Sequence, residues 1–157
     1  MKTLTTIKKD HLEFIQDIPK YIDRIKVLLH KESLDYSINE IDSFEEFVRK
    51  NISNSSQTEM NMEDLEKIFI SYMGTAFLWH FGGEWSLDKS KSSSCYGQPY
   101  VVSYFDNKSY STYIFPKGWF SILTRDQFKT PISDFYKNQI ASLIAKKKII
   151  KPVRNLK

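Results

Sequence analysis

Apolar residues recur at helical spacing near the start of the chain. Pro19 falls within this set, and a proline inside a helix removes one hydrogen bond and clashes with the preceding turn. The pattern therefore predicts a short helix over 9–16 and a main helix over 18–32, with Asp17 or Ile18 as its cap and Pro19 at its first position. The apolar residues of the main face are Ile15, Ile18, Ile22, Ile25 and Leu29.

A capping pattern precedes the next apolar positions. In the stretch SFEE, which begins at Ser43, the serine hydroxyl can accept a hydrogen bond from the amide three residues later. The Glu46 side chain can in turn accept one from the Ser43 amide. This predicts a short helix over 44–51. The polar run 51–59 has almost nothing to bury, so we expect a loop there.

The strongest helical pattern runs over 62–81. Asn61 is suited to cap it, and Glu63 and Asp64 complement the dipole of its first turn. Its C-terminal part is apolar nearly all round, which predicts a central helix covered on most sides. Gly74, in its middle, costs about 1 kcal/mol relative to alanine, and we expect another backbone element to approach closely there.

Two glycines end this apolar run. Gly82 can adopt the left-handed conformation that closes a helix, and Gly83 allows the chain to turn at once. The pair therefore predicts a corner between a helix and a strand that begins at Glu84.

The second half of the chain changes to a strand pattern. The segments 98–105 and 110–115 are rich in aromatic and β-branched residues and are separated by turn residues, which predicts a hairpin. Pro116 breaks the second strand, and the stretch after it slightly favours a helical turn. Thr130 and Pro131 mark the start of a helix that reaches about residue 146.

These elements predict an α+β fold. We expect N-terminal helices with a central buried helix, a small antiparallel sheet of three to four strands, and a closing C-terminal helix. Residues 1–148 are predicted to form one domain, and 149–157 a basic, flexible tail.

The charge is distributed unevenly along the chain. Residues 1–85 carry 10 basic and 15 acidic side chains, whereas 86–157 carry 13 basic and 4 acidic ones, so the net charge of +4 comes largely from the C-terminal end. An acidic stretch in the first half predicts a surface that attracts a basic partner. Its carboxylates are Glu40, Asp42, Glu45, Glu46, Glu59, Glu63, Asp64 and Glu66.

The composition narrows the class of protein. The chain has one cysteine, no apolar N-terminal segment typical of a signal peptide, and no run long enough for a membrane span. We therefore expect a cytoplasmic protein with no membrane association.

Few residues suggest catalysis. His11, His30 and His80 lie at no metal-ligand spacing, and no nucleotide-binding or hydrolase motif occurs, so we expect no metal, cofactor or catalytic site. Two alternatives stay open: a small hydrolase or transferase that uses His80, Glu84 and Cys95, and a nucleic-acid accessory protein that binds through its basic tail.

Aromatic residues are abundant, 23 in all, and crowd the second half. Alternation along the hairpin buries one set and exposes the other, and exposed tyrosines are favoured at protein interfaces. Tyr100 and Tyr104 are therefore candidate anchors for a partner.

The stretch ISYMGTAFLWHFGGEW, followed by GQPYVV, IFP and SDFYKN, resembles a loose group of small bacterial proteins of unassigned activity. The matching positions span residues 70–137 and are Tyr72, Gly74, Gly82, Gly83, Trp85, Pro116, Phe135 and Tyr136. Members of this group look like the immunity proteins of bacterial toxin systems. The resemblance implies a non-catalytic protein that binds and neutralises a cognate toxin, with the acidic stretch meeting a basic toxin domain.

Overall fold

Five α-helices and three β-strands follow one another along the residues that the structure describes. The computed structural model describes residues 3–54, 60–105, 110–125 and 131–145. The result is an α+β fold, as the sequence predicts. The elements are α1 (Leu4–Leu28), α2 (Ile38–Ser53), α3 (Met62–Phe81), β1 (Glu84–Leu87), β2 (Pro99–Phe105), β3 (Tyr110–Ile114), α4 (Pro116–Thr124) and α5 (Ile132–Ala145).

Helix α1 is continuous through Pro19, so the predicted division into two helices is wrong. The helix begins after Thr3, whose side chain accepts a hydrogen bond from the Thr6 amide. Proline costs one backbone hydrogen bond, but α1 packs against α3, and its buried residues Ile7, Ile18 and Ile25 lie on both sides of the proline. That shared packing keeps the helix in one piece.

Helix α2 begins six residues before the predicted start at 44. Ser37 is the cap, and its hydroxyl accepts a hydrogen bond from the Glu40 amide. The predicted cap, Ser43, lies inside the helix and donates its hydroxyl to the Asn39 carbonyl. Both serines fit the local capping pattern. The earlier one caps the helix because Ile41 and Phe44 are both buried in the core when the helix starts at 38.

Helix α3 is the centre of the core, as predicted. Asn61 caps it by accepting a hydrogen bond from the Asp64 amide at 2.8 Å. The helix packs against α1, α2, α4 and β2, and Tyr72, Met73 and Phe77 are fully buried.

The corner after α3 depends on both glycines, as predicted. Gly82 is itself the C-cap, and its φ of +68° and ψ of −164° differ from the predicted left-handed helical conformation but form a combination that essentially only glycine adopts. Gly83 has φ +106°, and a Cβ there would lie 2.1 Å from the Val102 carbonyl oxygen. Ser103 closes the corner by donating its hydroxyl to the Phe81 carbonyl at 2.8 Å.

The close approach at Gly74 comes from a side chain, so the predicted backbone contact is wrong. A Cβ on Gly74 would lie 2.0 Å from Cη2 of Trp85. Trp85 is the second residue of β1, so the absence of a side chain at Gly74 lets its ring lie against the central helix.

The sheet is antiparallel with strand order β1-β2-β3. Its register pairs Trp85 with Val101 and Val101 with Ile114, and the latter two side chains are buried on the core face. Helix α4 starts at Pro116, which confirms the break in the strand and the helical turn after it. Several predicted features lie outside the described residues: Glu59, the hairpin turn, the Thr130 cap and the basic tail.

Candidate functional site

Glu40, predicted to be a surface contact, is buried in the core. Only 2% of it is exposed, and its carboxylate accepts hydrogen bonds from the Tyr36 amide at 2.7 Å and the Tyr72 hydroxyl at 3.1 Å. Lys31 adds an ion pair at 2.7 Å. Burial, reinforced by the Glu40 charge, raises the pKa of Tyr36 to about 12. Glu40 therefore supports the fold and is not available to a partner.

Glu45 is the second predicted contact that lies inside the protein. It is 6% exposed, pairs with Nε of Arg49 at 2.7 Å, and accepts a hydrogen bond from the Ile132 amide at the start of α5. Its carboxylate thus joins α2 to α5. The prediction that the acidic stretch forms one exposed surface is wrong for these two residues. Each carboxylate instead accepts hydrogen bonds from backbone amides that would otherwise be buried without a partner.

Asp42 and Glu46 are exposed and lie beside α5. They line an open cavity of about 440 Å³ together with Asp134, Arg49 and Lys137. We refer to these five residues as the α2–α5 patch. Glu45 lines the same cavity, so its described lining as a whole contains four carboxylates and two cations.

The three carboxylates at the start of α3 lie elsewhere, toward α1 and α4. Glu63 pairs with Lys67 at 2.6 Å, and Glu66 pairs with Lys117 of α4 at 2.7 Å. Asp64 lies 3.7 Å from Arg24 of α1. The predicted acidic surface is thus divided between two places on the molecule.

A groove between α1 and α3 gathers further carboxylates that the sequence analysis did not select. One cavity of about 300 Å³ is lined by four carboxylates and a single ammonium, with two aromatic rings. We call it the acidic half of the α1–α3 groove. Its lining residues are Asp10, Glu13, Phe14, Asp17, Tyr21, Glu63 and Lys67.

The sequence did carry a signal for this groove. Asp10, Glu13 and Asp17 recur at steps of three and four, so they share one face of α1 with Phe14 and Tyr21. The signal was missed because the helix was expected to be broken near Pro19, and because α1 could not be placed beside Glu63 from the sequence alone.

A second cavity, of about 270 Å³, continues the groove, since it shares Asp10, Phe14 and Lys67 with the first. Its charges balance, with Asp10 and Glu66 against Lys67 and Lys117. The hydrogen bond to Glu63 raises the pKa of Lys67, so this ammonium stays charged at neutral pH.

His11 is half-buried in the balanced half of the groove. Its Nδ1 is buried and has no hydrogen-bond partner among the described residues. Burial lowers the pKa of His11, and the positive charge of Lys89 lowers it further. His11 is therefore neutral at neutral pH.

The three residues of the catalytic alternative have different surroundings. His80 is 3% exposed, and its Nε2 lies 2.9 Å from the Tyr36 carbonyl oxygen, with the Tyr136 ring 5.8 Å away. Glu84 is exposed on β1, and Cys95 is half-buried in the loop before β2. No group of three His, Cys, Asp or Glu side chains in the described ranges is arranged to hold a metal ion.

Of the two candidate anchor tyrosines, the structure describes the side chain of Tyr100. Tyr100 is half-buried on the sheet and touches Tyr113 and Phe115. The side chain of Tyr104 lies outside what the structure describes.

Comparison of the chain with family models, with curated proteins and with solved structures finds no match. In the part of the chain that the structure describes, no helix is both long enough and apolar enough to cross a membrane. The proposal for function therefore depends on the geometry and charge of this molecule and on the resemblance described above.

Proposed function

We propose that this protein is a non-catalytic binding protein of the bacterial cytoplasm that neutralises a basic toxin domain as an immunity protein. The observation that carries the proposal is the acidic half of the α1–α3 groove, whose described lining contains four carboxylates and one ammonium. Two of these carboxylates, Glu13 and Asp17, also pair with Lys9 and Lys20 outside the lining. A basic surface seated there would meet opposite charge, which speeds encounter and disfavours acidic competitors.

The groove also offers apolar contact for a protein partner. Phe14 and Tyr21 line it between the carboxylates, with ring centroids 6.1 Å apart. Aromatic rings give a lysine or arginine side chain of the partner both apolar contact and a favourable electrostatic surface. Charged rims around aromatic contacts are typical of protein interfaces.

The carboxylates at the rim can be changed without disturbing the core. The side chains of Glu13 and Glu63 are 60% and 78% exposed, and each pairs with a lysine of its own helix. Exposed pairs of this kind contribute about 0–1 kcal/mol to stability. A double reversal, Glu13→Lys with Glu63→Lys, therefore tests binding in a folded protein.

The experiment is a pull-down of the proteins encoded by neighbouring genes, followed by co-expression with any toxic one that binds. The unsubstituted chain should capture one basic partner and restore growth, and the groove double reversal should lose both abilities. Asp23→Lys is the matched control, since Asp23 is an exposed α1 carboxylate paired with Lys26 that does not line the groove.

Two outcomes would count against the proposal. If no neighbouring product binds, the immunity role is lost. If a product binds equally well to the double reversal but not to Glu46→Lys, the α2–α5 patch is the interface and the groove is not.

A further inference from the structure

Two tyrosines of the sheet and Phe115, the extended residue between β3 and α4, contact one another and form a continuous surface. Tyr100 and Phe115 are tilted by 31° with centroids 5.1 Å apart. Tyr113 stands nearly perpendicular to both, at 78° to Tyr100 and 80° to Phe115. We call these three residues the aromatic wall.

The wall lies on the face of the sheet that points away from the core. Side chains alternate along a strand, and Val101 and Ile114 are 0% and 3% exposed on the core face. Tyr100 precedes Val101, and Tyr113 and Phe115 flank Ile114, so all three rings lie on the opposite face. Tyr113 is 58% exposed, which makes it the most accessible ring of the wall.

A carboxylate lies at the edge of the wall. Asp88 lines the same open cavity of about 290 Å³ as the three rings, together with Ser90 and Ser93. Its Oδ1 accepts the Ser90 amide at 2.9 Å, and its backbone bonds to Gln98 and Gly97 at 3.1 and 2.8 Å. These bonds fix the carboxylate in place. Among the described residues Asp88 forms no ion pair.

A second carboxylate reinforces the negative character of this face. Glu84 is paired across the sheet with Val102, which in turn is paired with Tyr113. Residues directly opposite in an antiparallel sheet point to the same face. Glu84 therefore lies on the face of the wall, and it is exposed.

We propose that the aromatic wall and Asp88 form a binding site for an arginine side chain of a protein partner. A guanidinium is planar, so it can stack on the Tyr113 ring while its edge donates to a carboxylate. An ammonium is compact and strongly hydrated, so lysine fits less well. The site shares no lining residue with the α1–α3 groove, and it stands independently of the partner proposed there.

Other ligands that favour aromatic surfaces fit the site less well. A sugar or a proline-rich segment would also pack on the rings, but neither would use the negative charge of Asp88 and Glu84. The rings of Tyr100 and Phe115 contact each other, so they leave no space between them for an enclosed quaternary ammonium. In the described part of the chain, Asp88 is the one charged residue in the lining of this cavity, and its carboxylate favours a cation that stacks on the wall.

The test is an NMR titration of the full chain with N-acetyl-arginine amide, with N-acetyl-citrulline amide as the neutral analogue of equal shape. The arginine compound should shift signals of Tyr113, Asp88 and Ser90 and saturate, and the citrulline compound should not. Tyr113→Leu and Asp88→Asn should each weaken binding about two- to fivefold, the loss expected for one exposed cation–π contact or one exposed ion pair.

Matched variants separate this site from general effects on the fold. Tyr113→Phe keeps the ring and should bind normally. Asp88→Asn keeps the oxygen that accepts the Ser90 amide, and Asp23→Asn removes a carboxylate from α1 and should have no effect. Glucose and a tetraproline peptide serve as competing probes.

Several results would overturn the proposal. These are equal binding of the citrulline compound, saturation by glucose or tetraproline alone, or unchanged binding by Tyr113→Leu and Asp88→Asn. Much tighter binding of free arginine than of the capped compound would indicate an amino-acid site and would also contradict docking of a partner.

Discussion

At Glu40, one carboxylate accepts hydrogen bonds from a nearby backbone amide and from a side chain that is distant in sequence. The Tyr36 amide lies four residues away and the Tyr72 hydroxyl thirty-two residues away. Tyr36 has a positive φ of 52°, which side-chain-bearing residues rarely adopt, and its bond to Glu40 helps to hold that conformation. The network thus joins the α1–α2 connection to the central helix.

We predict that Glu40→Gln lowers the free energy of unfolding by about 1–3 kcal/mol. The amide removes the negative charge that pairs with Lys31, and it replaces the oxygen that accepts hydrogen bonds from Lys31 and from the Asp35 amide with an NH2 donor. Urea unfolding followed by circular dichroism measures the change. Glu32→Gln, at an exposed position in the same segment, is the control, and a similar small effect for both variants would show that the network contributes little.

The lowered pKa of His11 predicts how the stability of the protein depends on pH. Because this pKa is lower in the folded chain than its usual value near 6.5, the unfolded chain takes up the proton first as the pH falls. The contribution of His11 to the free energy of unfolding is therefore fully present above about pH 7 and is lost progressively below about pH 6.5. The charged groups that line its cavity are Asp10, Glu66, Lys67 and Lys117, with Lys89 nearby.

Urea unfolding at several pH values measures this loss. His11→Gln should show a shallower decline in stability on acidification than the unsubstituted chain. Lys89→Gln should also flatten the decline in part, whereas Lys91→Gln, a change two residues further along the same loop, should not. An identical pH dependence for His11→Gln and the unsubstituted chain would show that His11 titrates equally in both states.

Capping residues show what the sequence can establish at this scale. Asn61 was predicted correctly because only one capping residue directly precedes the apolar pattern of α3. Ser37 and Ser43 both stand three residues before a glutamate, so the local pattern does not distinguish them. Which serine caps the helix depends on burial of residues by distant parts of the chain. The same burial places Glu40 and Glu45 inside the protein.

At the scale of elements, the packing of β1 on α3 depends on the pair Gly74 and Trp85. Alanine is favoured over glycine inside a helix by about 1 kcal/mol. The added Cβ would lie 2.0 Å from the Trp85 ring, and such overpacking costs about 1–3 kcal/mol. We therefore predict that Gly74→Ala destabilises the protein in spite of the gain in helix propensity.

A double-mutant cycle checks this explanation. In a Trp85→Leu background the space is open, so Gly74→Ala should become neutral or stabilising. If Gly74→Ala has the same effect in both backgrounds, the ring of Trp85 is not the reason for glycine at this position.

The glycine corner gives a second prediction for the elements. Gly83→Ala should destabilise the protein by more than about 2 kcal/mol, because positive φ and the Val102 carbonyl both oppose a side chain. Gly118→Ala is the matched control, since a Cβ there meets nothing within 4 Å, and helix α4 should gain up to about 1 kcal/mol. Thermal unfolding compares the two, and equal melting temperatures would contradict the proposed corner.

Helix α1 shows why the arrangement of elements was only partly predictable. The α3 helix, the corner and the antiparallel pairing of β2 with β3 all follow from local patterns of period and turn residues. Pro19 was expected to interrupt α1, but its cost is local, whereas the packing of α1 against α3 acts along the whole helix. That packing is not visible in a single sequence.

For the whole molecule, the fold redistributes charges that look continuous in the sequence. The acidic stretch separates into buried carboxylates, the α2–α5 patch and one wall of the α1–α3 groove. Asp10, Glu13 and Asp17 join Glu63 only because α1 packs beside α3. The sequence shows that the first half of the chain is acidic, but which carboxylates share a surface depends on helix packing.

The most direct test of the acidic groove is the affinity for the captured basic partner, measured at low and at physiological salt. For the Glu13→Lys, Glu63→Lys double variant we predict at least about a tenfold loss of affinity at low salt, mainly in the association rate, and a smaller loss at higher salt. Asp23→Lys should bind like the unsubstituted chain. Equal affinities of the double variant and the unsubstituted chain at low salt would contradict the groove as the binding surface.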